Sequence, residues 1–148
     1  MTILSLDSMA LGATAVDPTD AIRQAGELLV KAGRVDSQYV DGMLAREATM
    51  STYLGNGVAI PHGTHESITH IKQTGISVVQ IPAGVTWEDD EVAYLVIGIA
   101  SSSDDHMEIL SNLAEVLEEE DQVMVLAQTS DPTVIMRALS GEASDSGD

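Results

Sequence analysis

The sequence predicts a single α/β domain in which helices flank a mixed β-sheet. Val92–Ala100 is almost continuously apolar, which is typical of a central strand covered on both faces. Two Asp-Pro pairs, at residues 17–18 and 131–132, are each followed by apolar residues at helical spacing. The length of 148 residues suits one domain with one hydrophobic core.

The N-terminal third contains two predicted helices. Residues 1–16 show no helical period, so they could form an edge strand or stay loose. The first helix begins at Asp17-Pro18 and ends at Gly33. The second begins at Asp36 and has Arg46 near its end. Apolar residues at helical spacing mark the buried faces of the two helices: Ile22, Ala25, Leu28 and Leu29, then Tyr39, Val40, Met43 and Leu44.

Three segments are predicted strands. Val58–Ile60 is short and ends at Pro61, whereas Ile76–Ile81 and Val92–Ala100 are longer and rich in β-branched residues. Between the two longer strands, Pro82–Gly84 and the acidic Glu88–Asp90 predict a loop.

The C-terminal part is predicted to be helical. Ser101–Asp105 offers several N-caps for a helix with apolar residues at Ile109, Leu110, Leu113, Val116 and Leu117. Glu118–Asp121 interrupts this pattern, and a short helix follows through Val123, Val125 and Leu126. The last helix begins at Asp131-Pro132 and ends at Gly141. Residues 142–148 are small and polar, which predicts a disordered acidic tail.

The charge of the chain narrows its possible partners. With 24 acidic and 6 basic residues, the net charge is −18. Such a surface repels nucleic-acid phosphates and anionic membranes, but it speeds encounter with a basic protein patch. We therefore expect a protein partner and no nucleic acid. The acidity could instead serve only solubility.

No apolar run approaches the roughly 20 residues that span a bilayer, and the N-terminus lacks a signal-peptide pattern. We expect a cytoplasmic protein without direct membrane insertion. Because the chain has no cysteine, it offers neither disulfides nor thiolate chemistry.

The segment around His62 is the strongest candidate for chemistry. Pro61 ends the preceding strand and fixes its own φ, while Gly63 removes bulk on the other side. His62 is thus predicted on a defined bend with open space beside its ring. An imidazole nitrogen can carry a phosphoryl group if an acceptor holds the other nitrogen as N–H. A loop histidine without any function is the alternative that this spacing leaves open.

His106 lies at the start of a predicted helix, where free backbone N–H groups and the positive end of the helix dipole favour an anion. If the fold brings this helix start beside His62, His106 could stabilise a phosphoryl group there. A surface histidine is the alternative interpretation.

Metal binding is weakly supported. His62, His65 and His70 are close in sequence, but the chain has no cysteine and no HExxH motif, and Gly63 argues against one shared helical face. His65, Glu66 and His70 are more simply a solvated surface. Nucleotide-binding loops and hydrolase elbows are also absent from the sequence. We predict no metal and no organic cofactor.

Several blocks, in order along the chain, resemble the mannitol/fructose class of enzyme IIA of the bacterial sugar phosphotransferase system. The blocks are Met43-Leu44-Ala45-Arg46-Glu47, Thr52-Tyr53-Leu54-Gly55, Val58-Ala59-Ile60-Pro61-His62-Gly63-Thr64, Pro82-Ala83-Gly84-Val85-Thr86-Trp87, Leu95-Val96-Ile97-Gly98-Ile99-Ala100 and Asp105-His106-Met107-Glu108-Ile109-Leu110. The last three are closer to the mannitol branch. The similarity runs from about residue 17 to 140.

The resemblance implies a three-layer α/β/α sandwich, with the enzyme IIA domain over residues 1–141. It implies that His62 accepts a phosphoryl group from the phosphocarrier HPr and passes it to a cysteine of an enzyme IIB partner, for uptake through the IIB/IIC permease. By position, His106 and Arg46 match family residues near the phosphoryl group. A guanidinium suits a phosphoryl dianion because its donors form a planar fork. The docking surface of HPr in this family is apolar with basic residues around it, which an acidic enzyme IIA would complement.

Three alternatives remain. The chain could be a regulatory enzyme IIA that signals by its phosphorylation state, or a non-catalytic acidic binding module. Within the phosphocarrier hypothesis, His106 could be the main acceptor in place of His62. The sugar is not specified, because in this system the membrane component selects it.

Overall fold

The computed structural model describes residue 4 and residues 6–87, 90–101 and 103–139, without the side chains of residues 103–106. Five strands and five α-helices lie in this part of the chain. The strands are β1 (Met9–Ala10), β2 (Tyr53–Gly55), β3 (Val58–Ala59), β4 (Gly75–Thr86) and β5 (Val92–Ala100). The α-helices are α1 (Pro18–Lys31), α2 (Gln38–Thr49), α3 (Ser103–Val116), α4 (Glu120–Gln128) and α5 (Pro132–Leu139). Short 3₁₀ helices cover Leu6–Ser8 and His65–His70.

The strands form one mixed sheet in the order β1-β4-β5-β3-β2. β1 pairs with β4 and β3 pairs with β5 in parallel, while the β4–β5 and β2–β3 pairs are antiparallel. The longest pairing in the sheet is between β4 and β5, which runs from Gly75 opposite Ala100 to Thr86 opposite Val92. The predicted mixed sheet is confirmed, and the uncertain N-terminal segment supplies an edge strand.

Helices cover both faces of the sheet. Side chains of α1 and α2 pack with one set of strand residues, including Val79 and Val96. Side chains of α3, α4 and α5 pack with the other set, including Val78 and Ile97. Since neighbouring strand residues point to opposite faces, the apolar run of β5 fills two cores at once. The α/β/α sandwich is therefore confirmed.

Local signals at the ends of α1 act as predicted. The Asp17 side chain accepts a hydrogen bond from the Asp20 N–H at 2.8 Å, which caps the helix. Gly33 has φ +78°, a left-handed conformation that glycine adopts without a steric penalty after a helix. The predicted interruption over Glu118–Asp121 also separates two helices, although α4 already begins at Glu120.

The predicted loop at Pro82–Gly84 is wrong, because β4 continues to Thr86. The β4–β5 register shifts between Gln80 and Val85, so Pro82 lies in a bulge where no ladder donor is required. Gly84 has φ +81° in the same bulge. Proline and glycine are typical of turns, but they also occur in a β-bulge, which does not end the strand.

No helix in the described part of the chain is long and apolar enough to cross a membrane. The predicted tail at residues 142–148, the helix end at Gly141 and the acidic residues 88–89 lie outside the described residues.

Candidate active site

His62 lies where the chain leaves β3 and passes the end of β5. The Ile99 N–H donates to the Pro61 carbonyl at 2.9 Å, and His62 forms an isolated parallel bridge with Ile99. Pro61 needs no ladder partner for its own nitrogen, so the strand can end here without an unpaired donor. The backbone of His62 is thereby fixed to the central strand of the sheet.

The backbone also sets the tautomer of the His62 ring. Nδ1 lies 3.0 Å from the carbonyl oxygen of Ile60, two residues earlier. Because a carbonyl oxygen only accepts, Nδ1 carries the proton in this hydrogen bond. In the neutral ring, Nε2 then holds the lone pair.

The surroundings keep the His62 ring neutral. Burial lowers the pKa of His62, because a charged imidazolium is poorly solvated there. The hydrogen bond to Ile60 and the negative charge of Glu47 act in the opposite direction, and the positive charge of Arg46 lowers the pKa further. The net effect is a pKa below the usual value, so the ring is uncharged at neutral pH.

Arg46 and His62 line the same open cavity of about 280 Å³, together with Tyr39, Gly63, Thr64, His65, Ile68, Ser101 and Met107. Arg46 comes from the last turn of α2 and donates from Nη1 to the Met50 carbonyl at 3.0 Å. A guanidinium has five N–H donors, so one backbone hydrogen bond leaves several for an anion. The cavity therefore brings the His62 imidazole and the Arg46 cation together.

Tyr39 lies on the apolar face of α2, as its helical spacing predicts, and it also lines the cavity. Its buried hydroxyl accepts from the Gly63 N–H at 2.9 Å and donates to the Ile99 carbonyl at 2.8 Å. Burial raises the pKa of Tyr39 to about 12, so the hydroxyl stays protonated. A tyrosine on a buried helix face needs a hydrogen-bond partner for its hydroxyl. This requirement is the one feature of the sequence that indicates a polar contact at Tyr39.

Gly63 has a different role from the one predicted. A Cβ atom there would clash with the Ser67 hydroxyl and with the Tyr39 ring. The glycine thus allows close packing of the loop against α2, and the open space beside His62 lies in the cavity. Ser67 donates to the Thr64 carbonyl at 2.6 Å, which stabilises the 3₁₀ turn that follows.

The other histidines differ in their surroundings. His106 lies in the first turn of α3, as predicted, but its side chain is outside the described residues. His65 is exposed and lines the cavity. His70 is not merely solvated, since Nδ1 lies 3.0 Å from the Asp36 carboxylate. Among the described residues, no three His, Asp or Glu side chains are arranged to hold a metal ion.

Comparison with known proteins identifies the family. The family model "Phosphoenolpyruvate-dependent sugar phosphotransferase system, EIIA 2" matches residues 2–142, nearly the whole chain. The chain belongs to this enzyme IIA family. Enzyme IIA is a component of a phosphotransferase.

Curated relatives extend the match. This enzyme IIA is 47% identical over 140 residues to a multiphosphoryl transfer protein of Rhodobacter capsulatus, covering 95% of this chain and 17% of that protein. It is 41% identical over 140 residues to the mannitol-specific phosphotransferase enzyme IIA component of Geobacillus stearothermophilus, covering 95% of this chain and 97% of that one. The chain thus spans about one sixth of the first relative's length and nearly all of the second's.

A solved structure shares the fold. The complex of mannitol enzyme IIA with phosphorylated mannitol enzyme IIB from Escherichia coli contains a chain with a TM-score of 0.87 and 38% identity. The match covers 93% of this chain and 97% of that chain.

Proposed function

We propose that this enzyme IIA is a phosphocarrier of the mannitol type, which accepts a phosphoryl group on Nε2 of His62 and passes it to a cysteine of an enzyme IIB partner. The observation that carries the proposal is the hydrogen bond from Nδ1 of His62 to the Ile60 carbonyl. It leaves the lone pair on Nε2, in a ring whose pKa is lowered by burial.

The transfer is an exchange of one bond to phosphorus for another. The Nε2 lone pair attacks the phosphorus of the donor's phosphohistidine, and the P–N bond to the donor breaks with its electron pair leaving on the donor imidazole. In the second step, a cysteine thiolate of enzyme IIB attacks phosphorus, and the P–Nε2 bond breaks. The proton of His62 stays on Nδ1, which donates to the Ile60 carbonyl throughout, so no proton must move within this site.

Arg46 stabilises the charge on the transferred group. It lines the same cavity as His62 and brings a permanent positive charge. Phosphoryl transfer passes through a loose transition state, and the protein speeds it mainly by positioning the reacting groups and stabilising their charge. His106 is the second proposed stabilising residue, because its neighbour Met107 and the preceding Ser101 both line the cavity.

The partners follow from the relatives and the charge. The proposed donor is HPr, and the proposed acceptor is the enzyme IIB of an IIB/IIC permease. The acceptor is supported by the Escherichia coli complex of mannitol enzyme IIA with phosphorylated enzyme IIB. The net charge of −18 suits a basic rim around the docking surface of HPr. We place the protein in the cytoplasm, and we assign residues 1–141 to the enzyme IIA domain.

The test is phosphorylation with enzyme I, HPr and labelled phosphoenolpyruvate. The wild type should take up acid-labile label, His62→Ala should take up none, and His65→Ala should behave as the wild type. His65 is a matched control because it lines the same cavity but is exposed. His106→Ala should slow labelling and leave the final amount of label unchanged. Full labelling of His62→Ala would contradict the proposal and indicate His106 as the acceptor.

A second step separates transport from the alternatives. Phosphorylated chain should pass its label to a mannitol enzyme IIB, and the label should move to a cysteine. A regulatory enzyme IIA would accept label but not pass it on. A non-catalytic acidic module would accept no label.

A further inference from the structure

We propose that Glu47 is a positioning residue for the phosphoryl acceptor: its carboxylate, acting through Thr52, holds the Ile60 carbonyl that fixes the tautomer of His62. This inference rests on the proposed role of His62. It adds a second residue of α2, directly after Arg46, to the machinery of the site.

The Glu47 carboxylate accepts three hydrogen bonds, two from nearby Thr52 and one from Trp87, which is 40 residues away in the sequence. Oε1 accepts from the Thr52 N–H at 3.0 Å and from the Thr52 hydroxyl at 2.5 Å. Oε2 accepts from the indole N–H of Trp87 at 2.9 Å. The end of α2 is thereby attached both to the segment that enters β2 and to the end of β4.

From Thr52, two further hydrogen bonds lead to the acceptor ring. The Ile60 N–H donates to the Thr52 carbonyl at 3.0 Å. The Ile60 carbonyl in turn accepts from Nδ1 of His62, also at 3.0 Å. The Ile60 carbonyl belongs to the Ile60–Pro61 peptide unit, which lies between two anchored units: the Ile60 N–H donates to Thr52 on one side, and the Pro61 carbonyl accepts from the Ile99 N–H on the other. Since each peptide unit is planar and Pro61 fixes its own φ, these two anchors restrict the orientation of the Ile60 carbonyl. The position of Glu47 is therefore transmitted to the group that selects the nucleophilic nitrogen.

The chemistry of this cluster requires a carboxylate. All three groups that face the Glu47 oxygens are donors, and a carboxylate is an acceptor only. A glutamine has one acceptor oxygen and an NH₂ group. In Glu47→Gln, the NH₂ would face either the Thr52 hydroxyl and N–H or the indole N–H of Trp87, so at least one hydrogen bond is lost.

A purely structural role makes different predictions. If Glu47 only attached α2 to the sheet, its loss would lower the stability of the chain but leave the His62 tautomer unchanged in the folded molecules. Positioning through Thr52 instead predicts a changed tautomer at His62. The ¹⁵N chemical shifts of Nδ1 and Nε2 in histidine-labelled protein distinguish the two tautomers directly.

The experiment compares Glu47→Gln with Glu115→Gln, which removes the same charge from an exposed position on α3. In Glu47→Gln we expect more of the Nε2–H tautomer and a roughly 10- to 100-fold slower transfer from phospho-HPr, since small displacements of a reacting group are costly. Thr52→Val should show the same two changes. Thr52→Ser, which keeps the hydroxyl, should retain the wild-type tautomer and rate.

Each outcome supports or overturns the proposal. A folded Glu47→Gln chain with the wild-type tautomer and rate would overturn it. If Glu47→Gln does not fold, identical tautomer populations in Thr52→Val and Thr52→Ser would overturn it. If the wild type accepts no phosphoryl group, the proposed function fails, and the tautomer comparison still tests the positioning role independently.

Discussion

The hydroxyl of Tyr39 accepts a hydrogen bond from the backbone N–H of Gly63 at 2.9 Å, which joins α2 to the residue after His62. The same hydroxyl donates to the Ile99 carbonyl at 2.8 Å, opposite His62 in the sheet. One side chain thus bonds to both backbone segments that hold the candidate phosphoryl acceptor.

Tyr39→Phe should lower the free energy of unfolding by about 1–3 kcal/mol, because it leaves the Gly63 N–H without its acceptor in a partly buried site. Transfer to His62 should also slow. Urea unfolding measures the first effect and labelled-phosphoryl transfer the second. Tyr94→Phe is the matched control, because the Tyr94 hydroxyl makes no hydrogen bond to the described residues. Equal stability of Tyr39→Phe and Tyr94→Phe would contradict this assignment.

Gly63→Ala should be destabilising by about 1–3 kcal/mol, since its methyl group would clash with the Ser67 hydroxyl and the Tyr39 ring. Combining it with Ser67→Ala should recover only part of the loss, because the clash with Tyr39 remains. Thermal unfolding of both single variants and the double variant measures this coupling. Strict additivity of the two single changes would show that Gly63 and Ser67 do not interact.

The rate of phosphoryl uptake should fall with acidification, with a midpoint below about 6.5, because burial lowers the pKa of His62 and only the neutral ring has a lone pair. The folded chain binds this proton less tightly than the unfolded chain. The contribution of neutral His62 to the free energy of unfolding is therefore lost as the pH falls from about 6.5 through the lower pKa of the folded chain. NMR titration of the His62 ring and rate measurements at several pH values should give the same midpoint. A midpoint above 6.5 would contradict the burial argument.

Arg46→Gln should slow phosphoryl transfer by about 100-fold, the usual effect of removing one charge-stabilising donor. It should also raise the pKa of His62, because the Arg46 charge is one cause that lowers it. The transfer rate of Arg46→Lys should lie between those of the wild type and Arg46→Gln, since an ammonium keeps the charge but loses the planar fork. Arg23→Gln removes an equal charge from the exposed face of α1 and should change neither quantity. An unchanged transfer rate in Arg46→Gln would show that Arg46 does not stabilise the transferred phosphoryl group.

The sequence predicted the structural features that depend only on residues close together in the chain. The Asp17-Pro18 helix start, the glycine stop at residue 33 and the buried strand Val92–Ala100 all have local causes, namely a cap, a left-handed backbone and a continuous apolar run. Pro61-His62-Gly63 was identified as the candidate site for the same reason. The end of β4 was missed because a bulge and a loop use the same residues, and only the β5 partner distinguishes them.

By itself, then, the sequence determined the α/β class, most helix boundaries and the candidate roles of His62 and Arg46. Only the tertiary structure decided how His62 is held. The Tyr39 hydroxyl meets Ile99, 60 residues away, and the Glu47 carboxylate meets Trp87, 40 residues away. Such pairs leave no period or motif in the chain, because hydrogen bonds between distant segments depend on the packed geometry of the sheet and α2 and not on local spacing.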